Sequence, residues 1–283
     1  MSTPPPVAVD EVPASPIASL QDDRVYQYQD QGVAIAERQR LVDERIKTMA
    51  DLGAALIRVD FRWDKVATRR PRNPRDPADP AYDWDRYDRI ARAAKKYAVE
   101  LLFTVWGTPS WATDPAVRPG PDEAPWAVRP ADADDYGAFA AAAARRYAPF
   151  GVRRWEAWNE PNIPLFLIPQ YERRGARWVA VSPATYSDLL KSFYAGVKQV
   201  APGAIVAGGV TAPSGDDCDL TCSTKRATRP ARVAPAAFLR GLDAPGLRPR
   251  MDVVSHHPYP VIRPELASRP RPQIGRASCR ERV

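Results

Sequence analysis

Two carboxylic acids, Glu156 and Glu160, stand four residues apart in the stretch RRWEAWNEPN, beside Trp155, Trp158 and Asn159. A carboxylic acid can protonate a leaving group and then draw a proton from water; a carboxylate can also attack carbon directly. The stretch reads as a strand that ends at Pro161, and side chains alternate sides along a strand. Alternation puts Glu156, Trp158 and Glu160 on one face and Trp155, Ala157 and Asn159 on the other. Glu156 then lies about 13 Å deeper than Glu160 by strand rise. It reads as a structural acid paired with an interior cation such as Arg58. Glu160, at the strand end, reads as either the acid of a working site or part of a plain polar turn.

Other stretches place polar groups at comparable ends. VVSHHPYP sets His257 and Tyr259 in alternation, and IRVDFRW turns Arg58 and Asp60 to one side. Trp63, Trp106, Trp111, Trp158 and Tyr259 fall at or beyond strand ends. They can be core plugs, or flat surfaces for the apolar faces of sugar rings. No histidine–carboxylate spacing suggests a metal, and no Gly-x-Ser-x-Gly elbow occurs. No cofactor is expected.

The elements that must carry these groups alternate. Helical spacing runs through Glu37 to Leu52, Asp85 to Tyr97 and Asp134 to Tyr147. A further helix opens at Ser182-Pro183, with Ser182 read as the N-cap, and a short one covers Phe238 to Leu242. Strands are expected at about 24–29, 54–61, 99–106, 153–160, 204–210 and 252–257. Near-continuous apolar strands between amphipathic helices imply a parallel sheet covered by helices. Links from helix to strand are tight. Links from strand to helix are long, at 64–82, 113–131, 161–182 and 211–235. That asymmetry suits an α/β protein of the (β/α)₈ TIM-barrel type, whose site is built from loops at the C-terminal strand ends. Six strands make the barrel incomplete, about six of eight β/α units. A doubly wound sheet fits less well, because no Gly-rich phosphate turn follows any strand.

The chain has 283 residues and a net charge of +7. Its arginines are scattered along the sequence without a basic helix or an aromatic–basic strand motif, so nucleic acid is not an expected partner. No apolar run is long enough for a membrane span. Residues 1–22 read as a disordered proline-rich lead-in without signal-peptide pattern, 23–272 as the partial barrel, and 273–283 as a non-native tail. The tail, ending IGRASCRERV, looks like a translated sequencing adapter joined to a shortened gene; an ordinary basic tail is the alternative. Cys218 and Cys222 are either a small disulfide of an exported protein or two free thiols.

DLGAALIRVDFRW, VELLFTVWGTPSWA, RRWEAWNEPN and DVVSHHPYP occur in this order and together resemble the clan A glycoside hydrolases, most closely the cellulase-like family five. The resemblance implies a retaining glycosidase acting on a β-linked poly- or oligosaccharide. By it, Glu160 is the general acid/base and Asn159 hydrogen-bonds the substrate hydroxyl beside the reacting carbon. Arg58, His257 and Tyr259 surround and orient the nucleophile, with Trp106 and Trp158 lining the sugar site. For Asn159 and Glu160 to share a site, the strand must bend between them. Retaining hydrolysis needs a second carboxylate about 5 Å from the first. The family carries it as a glutamate ending a seventh strand, and no residue here matches. The chain is therefore expected to be inactive by itself, and its full-length parent an exported hydrolase. The alternative is a non-catalytic carbohydrate-binding barrel.

Overall fold

A computed structural model of the protein describes residues 17–22, 32–225, 230–244, 246 and 249–259. Six parallel strands form one sheet in sequential order: β1 (Ser19–Leu20), β2 (Leu56–Arg62), β3 (Glu100–Trp106), β4 (Arg154–Ala157), β7 (Ile205–Thr211) and β9 (Val253–His256). Sequential order in an all-parallel sheet requires a helical crossover between neighbours, the arrangement of a β/α barrel. The sheet is an incomplete (β/α)₈ barrel. The strand expected at 24–29 lies outside the described residues; β1 stands just before it and pairs with β2 through Ser19 and Leu20.

Helices α1 (Ile35–Asp51), α2 (Asp85–Lys96), α3 (Ala133–Tyr147), α4 (Ser182–Val200) and α5 (Pro235–Leu242) supply the crossovers. The outward rows of the sheet, Val59–Phe103–Trp155–Val206 and Phe61–Val105–Ala157, are buried beneath them. Phe61 stacks on Tyr87 of α2 at 4.0 Å between centroids, and Phe103 meets Tyr147 of α3 edge-on. This side is the hydrophobic core. The row Asp60–Thr104–Glu156–Ala207 faces the other way, into the barrel. Helices α3 and α4 touch backbone to backbone. A Cβ built on Gly196 would fall 2.1 Å from the Gly137 carbonyl oxygen, so both positions require glycine.

Two local expectations need correction. Ser182 does not cap α4; its hydroxyl donates to Gln170 Oε1 at 2.9 Å, and the helix begins without a side-chain cap. The segment after β4, expected as a plain loop, contains a hairpin. Strands β5 (Tyr171–Arg174) and β6 (Arg177–Ala180) pair antiparallel around Gly175-Ala176, and β8 (Thr221–Ser223), from the loop after β7, adds a third strand. Gly175 at φ +60 supplies the left-handed first position of a two-residue turn. Cys218 and Cys222 are disulfide-bonded at the start of β8.

Candidate active site

Arg58 rises from β2 into the barrel and ties that strand to β4 and the segment that follows it. Its Nε donates to Glu156 Oε2 at 2.9 Å, Nη1 to Asp60 Oδ1 at 3.1 Å and Nη2 to Asn159 Oδ1 at 2.8 Å. Thr104 Oγ1 donates to the same Glu156 oxygen at 2.6 Å. Glu156 is thus the deep structural acid, its Oε2 held by an arginine and a hydroxyl, and only 2% exposed. Burial disfavours the Arg58 charge, but the carboxylates of Glu156 and Asp60 outweigh it and raise the guanidinium pKa. A charge can be kept in such an interior only with partners of this kind.

Above this floor the chain leaves the strand. β4 ends at Ala157, not at residue 160, and Trp158 and Glu160 both adopt positive φ, +69° and +41°. Left-handed backbone costs a non-glycine residue of order 1–3 kcal/mol. Here it is held by backbone bonds: Trp158 N–H donates to the Val105 carbonyl at 2.9 Å, and Ile163 N–H to the Glu160 carbonyl at 3.1 Å. The two reversals overturn the alternation expected from a straight strand. Asn159 and Glu160, assigned to opposite faces, reach one cluster: Asn159 meets Arg58, and Glu160 Oε1 lies 2.9 Å from His257 Nδ1.

A guanidinium only donates, so His257 Nε2, 3.5 Å from Arg58 Nη2, is the acceptor. With Nε2 accepting, the 2.9 Å contact suits Nδ1–H donating to Glu160 Oε1. Tyr259 stands edge-on to His257 at 5.7 Å and is largely exposed. Glu160, Asn159, Arg58, His257 and Tyr259 are therefore brought together at the C-terminal rim.

The two tryptophans are placed differently. Trp158, expected beside Glu160 on the site face, is fully buried towards the helices. Its ring meets Tyr136 of α3, and its N–H donates to the Phe166 carbonyl at 2.9 Å. The same reversal that brings Asn159 inward turns this indole outward, so Trp158 packs and does not line a cleft. Trp106 lies under the Arg62 guanidinium, 4.2 Å from its ring centroid, and against Phe166. It forms a covered wall beside the site. Trp63 is core as well.

Asn162 was not singled out from sequence. It is fully buried, accepts from Ala212 N–H at 2.8 Å, and donates to the carbonyls of Ala212, Ser214 and Val233. It ties the loop after Glu160 to the loop after β7. Its place in the same WNEPN stretch was the available signal.

Among the described residues, no group of three or more histidine, cysteine or acidic side chains could hold a metal ion. The remaining carboxylates near the barrel interior are engaged: Asp60 and Glu156 by Arg58, and Asp64 by two bonds from Arg62.

No family model and no curated protein matches the chain. Solved structures do. A glucosidase from Croceicoccus marinus is 16% identical over 75% of this chain and 39% of that one, with a TM-score of 0.48. An exo-β-1,4-mannosidase from Opitutaceae bacterium strain TAV5 is 16% identical over 78% of this chain and 35% of its own, with a TM-score of 0.47. A family 39 glycoside hydrolase from Bacteroides cellulosilyticus WH2 is 22% identical over 60% and 29%, with a TM-score of 0.40. The chain spans well under half the length of each of these three.

Proposed function

We infer that this chain is the larger part of the catalytic barrel of a retaining glycosidase, with Glu160 as general acid/base. One observation carries the reading: the double reversal at Trp158 and Glu160 gathers Glu160, Asn159, Arg58 and His257 at one rim. In the first step Glu160 Oε2 protonates the glycosidic oxygen as the bond to the sugar breaks. In the second it draws a proton from the water that attacks the glycosyl-enzyme. His257 Nδ1–H, bonded to Oε1 throughout, keeps the carboxyl plane fixed during both transfers. Asn159, held by Arg58 through its carbonyl oxygen, retains its amide hydrogens for a sugar hydroxyl.

The attacking carboxylate is not supplied by the described residues, because each interior acid other than Glu160 is arginine-bound. We place it on barrel units beyond residue 272 of the full gene product and assign residues 273–283 to a non-native tail. The substrate is a β-linked poly- or oligosaccharide. The Cys218–Cys222 bond suits an oxidising compartment, consistent with an exported enzyme.

The test is turnover of an aryl β-glycoside. The full gene product should release the aryl alcohol, and Glu160→Gln should lower kcat about 10²–10⁴-fold. The 283-residue chain should release none. Full activity in the long Glu160→Gln variant removes Glu160 from the chemistry; turnover by the short chain removes the need for a further carboxylate.

A further inference from the structure

Three arginines close together in sequence, Arg173, Arg174 and Arg177, are carried on the hairpin of β5 and β6. In the hairpin, Arg174 and Arg177 are directly opposite each other across β5 and β6. Like charges at opposed positions destabilise a sheet, so the pair calls for an anion. Arg173 precedes them on the other face of the hairpin, across from Trp178. Lys225 follows β8, where Thr224 N–H bonds the Ala176 carbonyl at the hairpin turn. All four cationic residues are exposed. Neither the Arg177 guanidinium nor the Lys225 ammonium has an ion-pair partner among the described residues.

Nearby acids do not neutralise this cluster. Asp219 is held by Arg240 through two contacts of 2.7 and 2.8 Å. Glu172 is shared between Arg129 at 3.4 Å and Arg174 at 3.9 Å. The Glu172 contact shows the chemistry that the surface accepts, a planar carboxylate between guanidinium groups.

The hairpin is also anchored where a substrate would pass. It is built from the loops that follow β4 and β7, both leaving the C-terminal rim that holds Glu160. Tyr171 is buried and donates its hydroxyl to the Cys218 and Asp219 carbonyls, each at 2.9 Å. Gln170 bonds the carbonyls of Pro161 and Leu167. The cationic tip is thus presented on a braced base.

We propose that this hairpin is a binding surface for carboxylate-bearing glycan, the Arg174–Arg177 pair holding uronate groups of a polysaccharide at the mouth of the barrel. The proposal deepens the glycosidase reading by naming the substrate class. Its test uses binding alone, so it can fail while Glu160 remains catalytic.

The 283-residue chain is titrated with β-1,4-linked polymannuronate and with the same polymer fully methyl-esterified, across a salt series. Binding to the acidic polymer should weaken with salt and be absent for the ester. Arg174→Ala/Arg177→Ala should weaken it at least about tenfold without lowering the melting temperature, because the pair removed is repulsive. Arg40→Ala/Lys47→Ala, which removes two exposed charges from α1, should leave it unchanged. Equal binding of the ester, equal weakening by the α1 variant, or equal affinity for double-stranded DNA of matched charge would each overturn the proposal.

Discussion

Replacement of Arg58 by methionine should be among the most damaging single changes in this fold. The side chain is only 14% exposed and carries the bonds to Glu156, Asp60 and Asn159 described above, besides one to Gln21 Oε1 at 3.0 Å. Methionine fills much of the volume but leaves Glu156 with Thr104 as its remaining recorded partner. Removing one member of a buried ion pair costs about 3–5 kcal/mol, because the other charge stays buried without compensation. At roughly 2–4 °C per kcal/mol for a domain of this size, the melting temperature should fall by roughly 6–20 °C. Thermal and urea unfolding followed by tryptophan fluorescence would measure it. Glu156→Gln alone should cost less, since Arg58 keeps Asp60 and Asn159. The double variant Arg58→Met/Glu156→Gln should recover more than about 1 kcal/mol relative to additivity. A single Arg58→Met within about 1 kcal/mol of the parent, or a strictly additive double variant, would refute the view that Glu156 is a structural acid held by this arginine.

Three further outcomes follow from particular contacts. Asn162→Ala should destabilise by about 3 kcal/mol or more in urea unfolding, since it strands a buried N–H and three carbonyls; Asn162→Asp should not rescue it, because a carboxylate cannot donate to those carbonyls. Gly196→Ala should lower stability by about 2 kcal/mol or more despite alanine's better helix propensity, because its Cβ meets the Gly137 carbonyl; a neutral or stabilising result would contradict the close helix crossing. Asp79 accepts the N–H groups of Asn73, Ala81 and Arg72, and these bonds lower its carboxyl pKa against the opposing effect of burial. A carboxyl depressed on folding stabilises above its unfolded pKa, near 3.9, and that stability is lost as pH falls through the lower folded value. Between pH 5 and pH 2 the parent's melting temperature should therefore fall more steeply than that of Asp79→Ala; parallel curves would count against the assignment.

Most of the sheet was legible because each strand is a continuous apolar run between amphipathic helices. The runs at 54–61, 99–106, 204–210 and 252–257 fall within two residues of β2, β3, β7 and β9. The helix stripes at Ile46, Tyr87, Tyr136 and Tyr186 are buried as their spacing implies. The end of β4 was not legible. Positive φ at a tryptophan and a glutamate carries no compositional sign, and it depends on backbone partners in other segments, chiefly Val105. Once the period of two fails at Trp158, the faces of Asn159 and Trp158 exchange roles. The hairpin was hidden for a different reason. YERRGARWVA is short and rich in arginine, and its inward-facing Tyr171 gains a packed surface only when the loop after β7 folds beside it. The direct opposition of Arg174 and Arg177 across the turn depends on that hairpin and was hidden with it.

The general acid/base assignment of Glu160 meets its most direct test in the full gene product carrying Glu160→Ala, assayed on an aryl glycoside with an activated leaving group. Such a substrate needs no proton for departure, so the glycosyl-enzyme still forms, but water lacks the base that activates it. Azide, an anion that requires no deprotonation, should then restore turnover and yield a glycosyl azide of retained configuration. Unchanged turnover without azide, or an absence of any azide product, would contradict the role given to Glu160.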